Sequence, residues 1–147
     1  MRANLTCLTM LVAASVLAGD AIDKTVPFEL GKWIEIERTD GPVVLHRMRV
    51  VEQTGAITKS SIFRPSGSEF LRTVQVQVEY SNSATKDWSV WMQIEWVDAD
   101  GKVIDGYHGE ESLDDREVHD AVTVTLSTLK YGLERAKDLK VHLEIRP

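Results

Sequence analysis

The sequence predicts an all-β protein, a two-sheet antiparallel β-sandwich preceded by a signal peptide. Three observations predict it. Apolar and polar residues alternate with period two over four runs in the second half. Turn-forming residues separate those runs. Beyond the first 20 residues, no long stretch sustains the 3.6-residue period of an amphipathic helix. Strict alternation marks strands with one buried and one solvated face.

The chain opens with Met1-Arg2 and then an apolar run from Leu8 to Ala18, broken only by Thr9 and Ser15. Ala18, Gly19, Asp20 and Ala21 follow. A short basic start, an apolar stretch and a small-residue exit describe a secretory signal peptide over residues 1–18. Cleavage after Ala18 is preferred, and cleavage as late as Ala21 is the alternative. The run is too short for an ordinary membrane-spanning helix. A buried N-terminal helix is the competing reading, but the run has no polar face to turn toward water. Leu17-Ala18-Gly19 has the form of a bacterial lipoprotein signal, yet Asp20 stands where the lipid-bearing cysteine would be. The expectation is an exported protein with no stable membrane anchor once the leader is removed.

Residues 19–147 then form a single domain, a usual domain size. The lone cysteine, Cys7, falls in the leader, so the mature chain has no disulfide to form. Small eukaryotic secreted domains lean on disulfides, so their absence favours a bacterial envelope protein, periplasmic or secreted. The formal charge is −6, and loss of Arg2 with the leader takes it to −7. That sign disfavours nucleic acid and anionic lipid as partners.

In chain order, Trp33–Glu37 reads as a short strand with Ile34 and Ile36 inward. Val43–Val51 is a longer, mixed one, and Ile57–Phe63 a third. Pro42 and Pro65 sit at strand ends, where a missing N–H does least harm. The strong alternations follow: Thr73–Tyr80 with Val74, Val76 and Val78 inward, and Trp88–Trp96 with Val90, Met92 and Ile94 inward. After them come Val122–Leu126 and Leu139–Ile145. Turns fall at Asp40-Gly41-Pro42, Gln53-Thr54-Gly55, Ser66-Gly67-Ser68, Ser81-Asn82-Ser83 and the tight Asp98–Gly101 hairpin. Gly106–Asp120 reads as a long acidic loop, and Tyr131–Lys137 as one or two helical turns in a crossover. Seven or eight one-faced strands pack best as two sheets, immunoglobulin-like in character, with a small closed barrel as the alternative.

The runs VQVQVEYSNS, WSVWMQIEWVDADGKVID, AVTVTLS and DLKVHLEI resemble the YcfL-like family of small bacterial envelope lipoproteins and, more loosely, other extracytoplasmic sandwich domains. The similarity spans Val74 to Ile145 and rests on Asn82, Trp96, Asp98, Gly101 and the Val122–Leu126 strand. It implies an envelope sandwich and carries over no catalytic residue. The missing cysteine and the N-terminal part depart from the family pattern.

No cofactor motif is visible. His46, His108, His119 and His142 are scattered, and zinc needs three or four converging ligands. The nearest set is His108 and His119 with Asp114 and Asp115, if the acidic loop folds back. Ordinary surface histidines are the default. Asp98-Ala99-Asp100-Gly101 lacks the spacing of a calcium loop. Loose calcium binding by residues 106–120 competes with a merely solvated loop. No serine lies in a nucleophile-elbow context, and no phosphate-binding glycine loop occurs.

The aromatic residues carry the binding expectation. Trp88 and Trp96 fall on the apolar face. Trp91 falls on the polar face with Ser89, Gln93 and Glu95, and Trp33 sits beside Glu35. Tryptophan on a polar face marks a contact site, or else lies under a loop. The leading expectation is a non-enzymatic envelope domain that binds another protein or supports an assembly. The alternative is a carbohydrate- or small-ligand-binding module using Trp91, Trp33 and Tyr107. An enzyme with an unrecognised site ranks third.

Overall fold

The computed structural model describes residues 20–53 and 68–147. The expected signal peptide, the Ile57–Phe63 strand, Pro65 and most of the two turns flanking that strand lie outside the described residues.

Among the described residues, eight strands form two four-stranded antiparallel sheets. They are β1 (Ile22–Pro27), β2 (Ile34–Asp40), β3 (Val43–Glu52), β4 (Leu71–Asn82), β5 (Trp88–Val97), β6 (Val103–Leu113), β7 (Glu117–Leu129) and β8 (Asp138–Arg146). A one-turn helix, α1 (Lys130–Arg135), links β7 to β8. The first sheet runs β1-β8-β5-β6 and the second β2-β3-β4-β7. The sandwich expected from alternation is what the chain forms, and the sheets stay separate rather than closing into a barrel.

The core lies between the sheets. Val76 of the second sheet and Ile94 and Leu143 of the first are fully buried in one cluster, with Val124 packed against it. Their cross-strand neighbours alternate with Gln75, Gln77, Gln93 and His142 on the outer faces. Trp96 is completely buried, with Phe28 at 5.9 Å between ring centroids. Trp88 is only half-buried. Its ring end closes on Gly41, where a Cβ would stand 3.0 Å from the indole. Gly41 also has φ 54°, so both backbone and space favour glycine in this turn.

The Asp98–Gly101 hairpin is as expected: Gly101 has φ 78°, and Asp98 Oδ1 accepts N–H bonds from Asp100 and Lys102. Asn82 ends β4 fully buried. Its amide donates to Leu113 O and Lys86 O, and its Oδ1 accepts from Ala84 N. It thereby pins the β4–β5 connection to the end of β6.

Two expectations are corrected. Gly106–Asp120 is not a loop: it is most of β6, a three-residue turn and the start of β7. Cross-strand partners share a face, so Asp105, Tyr107, Gly109 and Glu111, opposite Trp96, Ile94, Met92 and Val90, lie on the inner side. Polar groups are tolerated there because β6 is an edge strand at the open mouth between the sheets. Thr128 Oγ1 donates to Asp105 Oδ2 at 2.5 Å across that mouth. The second correction is β1, an unforeseen strand that pairs with β8 from Ile22 to Pro27.

Candidate functional site

The outer face of the first sheet holds Trp91. It is half-buried, flanked across the strands by Glu110 and Glu144. The Arg146 guanidinium lies 5.3 Å from the ring centroid and bonds Glu144 at 2.7 Å. No loop covers this ring among the described residues; an arginine and its carboxylate partners do. The row beside it runs Asp23, His142, Gln93, His108 across all four strands. His142 Nδ1 is 2.7 Å from Asp23 and its Nε2 3.1 Å from Glu144. The Asp23 and Glu144 carboxylates raise the His142 pKa above the usual imidazole value. Arg146 and then His142 hold Glu144 below the usual carboxylate value. His108 bonds Glu95 at 2.9 Å. An open groove of about 300 Å³ runs alongside, lined by Asp23, Thr25, Gln93, Glu95, Lys140 and His142 among others.

The outer face of the second sheet holds Trp33. The Arg47 and Arg49 guanidinium carbons both lie 4.2 Å from its ring centroid. Cation–π contact of this kind covers the ring and steadies both arginines. Trp33 and Trp91 therefore sit on opposite sides of the sandwich and form no shared platform. Tyr107 joins neither: it lies on the inner side of β6, packs against the core and donates to Glu111. Burial, and then the Glu111 carboxylate, push its phenol up to about 12.

A second cluster on this face was not foreseen. The register shifts between β2 and β3, β3 and β4, and β4 and β7 fall at one level, at Ile36–Glu37, His46, Ser81 and Val118–His119. Glu37 and His119 have φ 45° and 53° there. Strict alternation along Val43–Val51 would put His46 on one side with both Val44 and Met48, and the bulge at His46 breaks that parity. His46 lies beside Arg47, not with Met48, which is fully buried. Its ring stacks on His119 with centroids 4.2 Å apart. His46 Nε2 is 2.8 Å from Ser81 Oγ, which also accepts the His119 backbone N–H at 3.0 Å. His119 Nδ1 is 2.7 Å from Glu79, and Arg47 donates to the other Glu79 oxygen at 2.6 Å. These two partners hold Glu79 below the usual carboxylate value, His119 contributing most. The imidazole at the serine and the imidazole at the glutamate are different rings, so the residues are present without the serine–base–carboxylate order of a triad.

The expected metal candidates are dispersed. His108 faces out from the first sheet and His119 from the second. Asp114 N–H donates to Tyr80 OH, and Asp115 N–H to Asp87. Among the described residues, no three His, Cys, Asp or Glu side chains gather where a metal ion would sit.

Sequence reasoning also missed an apolar corner. Leu71 and Leu129 are cross-strand partners on the outer face of the second sheet, 44% and 58% exposed. Phe70 and Tyr131 flank them at 48% and 63%. The signal lay in the sequence, because odd-numbered Leu71 and Leu129 continue the polar series Thr73–Glu79 and Thr123–Ser127. Their parity puts them outside.

No family model matches the chain. No curated protein matches it either. Among solved structures it is similar to a DUF1425 family member from Shewanella sp. pv-4, at 13% identity, over 80% of this chain and 96% of that one. The TM-score is 0.36, too low for the likeness to carry an argument.

Proposed function

We propose that the chain is an exported envelope domain that holds another protein and performs no chemistry of its own. The observation that carries this reading is the corner of Phe70, Leu71, Leu129 and Tyr131. Four large exposed apolar residues at one end of the β4–β7 pair are a contact surface in the making. The export half rests on residues 1–18 and on the start of β1 at Ile22. Cleavage after Ala18 or after Ala21 leaves every described strand whole. The sequence resemblance to YcfL-like envelope proteins points the same way.

The test has two arms. Fractionation of bacteria expressing the full chain should place a shortened product outside the cytoplasm. A photo-cross-linking residue at Tyr131 should then give one discrete protein adduct that Leu71→Asp abolishes, while the same residue at Thr25 gives none. An unprocessed cytoplasmic product defeats the export reading, and equal adducts at both positions defeat the corner.

The groove beside Trp91 supports a second reading, a single-sugar site. Amide, carboxylate and imidazole groups line it, an arrangement suited to sugar hydroxyl groups, and Trp91 stands two residues from Gln93 on the same face of β5. Saccharide-dependent change in tryptophan fluorescence, lost in Trp91→Ala, would favour this reading over the first.

A further inference from the structure

The four edge strands of the sandwich are unequally protected. β1 has six residues and ends at Pro27. β2 has seven, four of them charged, and is bulged. β6 carries Asp105, His108, Glu110 and Glu111 with two glycines. Shortness, proline, charge and bulges are the devices by which sheet edges avoid pairing. β7 has none of them between Asp120 and Lys130. It reads AVTVTLSTL over residues 121–129, with no charge, proline or glycine. Ala121, Thr123, Thr125, Ser127 and Leu129 are all exposed. Among the described residues β7 pairs with β4 alone. Its other edge, among the described residues, therefore offers unpaired N–H and C=O groups over about 30 Å.

We propose that this edge pairs with the β7 edge of a second copy, antiparallel about a two-fold axis through Thr125. The two second sheets then form one eight-stranded sheet. The segment is self-complementary in that register. Val124 faces Leu126 and Thr123 faces Ser127, so inner apolar residues meet each other and outer hydroxyls meet each other. A slip by one residue would set inner side chains against outer ones. Among registers that keep the faces matched, centring on Thr125 is the one that brings Asp120 of each copy to the end of the other's β7, where Lys130 opens α1. Opposite charges thus close both ends of an isologous interface. This goes beyond the partner-holding role, because a monomer can hold a partner through the corner. Leu71, the corner residue substituted above, lies on β4, one strand in from the edge.

Protein purified from cells expressing the full chain, with Cys7→Ser, should sediment as a concentration-dependent dimer. Thr125→Lys places two cations face to face on the axis and should leave a monomer with unchanged far-ultraviolet circular dichroism. Thr125→Cys should form a disulfide-linked dimer under mild oxidation, since residues 125 oppose each other within disulfide reach. Thr123→Cys should not, because its copies lie about 13 Å apart along the strands; mixing it with Ser127→Cys should restore the cross-link. A monomer at every concentration, a dimer that survives Thr125→Lys, or equal cross-linking by Thr123→Cys and Thr125→Cys would each overturn the proposal. If Thr125→Lys fails to fold, the cysteine series still decides.

Discussion

Removing the indole of Trp96 should cost far more than removing that of Trp91, although both lie on β5. Trp96 is fully buried and packs against Phe28, with Leu139 and Asp105 opposite. Truncating a buried tryptophan to alanine costs about 3–5 kcal/mol in lost transfer energy and cavity. One feature moderates this: Trp96 Nε1 is buried with no hydrogen-bond partner among the described residues. Deleting an unsatisfied donor returns about 1 kcal/mol, so the expected loss sits near the lower end, about 3 kcal/mol. Trp96→Phe keeps an aromatic ring and removes the orphan donor, and should cost less than half as much. Trp91 is half-buried, and its main specific contact is the Arg146 guanidinium, a cation–π pair of about 0.5–1 kcal/mol at an exposed site. Trp91→Ala should therefore cost about 1 kcal/mol. Urea melts followed by far-ultraviolet circular dichroism measure both. Equal losses, or a smaller loss at Trp96, would refute the assignment of β5 faces.

Asn82→Ala should destabilise by about 2–4 kcal/mol, because it removes a buried bond to Leu113 O and a part-buried one from Ala84 N–H together; the same urea melts show it. Gly41→Ala should cost about 1–2 kcal/mol from its φ of 54° and the approach of Trp88, and should alter the Trp88 contribution to near-ultraviolet circular dichroism. His142 carries a raised pKa in the folded chain. Its stabilising contribution is then fully present below the unfolded imidazole value and is lost as pH rises through the folded one. The stability difference between wild type and His142→Gln should shrink between pH 5 and 8, and a difference that grows over that range would contradict the Asp23–His142–Glu144 pairing.

The fold was legible where inner positions are apolar. Val74–Val78, Val90–Trp96 and Leu139–Leu143 announce their strands because every second residue is buried. β6 was illegible for the opposite reason: Asp105, Tyr107 and Glu111 occupy inner positions at the mouth of the sandwich, so its alternation carries no hydrophobic signal. β1 is short and its inner series is Ile22, Lys24, Val26. Lys24 escapes burial by reaching out to Glu35 O at 2.6 Å on the neighbouring sheet. Parity failed at His46 because a bulge inserts one residue and reverses every face beyond it. The outward positions of Trp91 and His142 followed from alternation alone. What covers Trp91, and the meeting of His46 with His119, depend on which strands become neighbours. Pairs such as β5 with β8, or β4 with β7, are set by tertiary packing far apart in the chain.

Alternate side chains of the later strands share one dry interior while their neighbours face water. Methyl resonances read with a soluble paramagnetic probe test this directly. Val76, Ile94 and Leu143 should be unaffected, while Val118 and Leu129, 77% and 58% exposed, should broaden. Broadening of Ile94 or Leu143 to the same degree as Leu129 would contradict it.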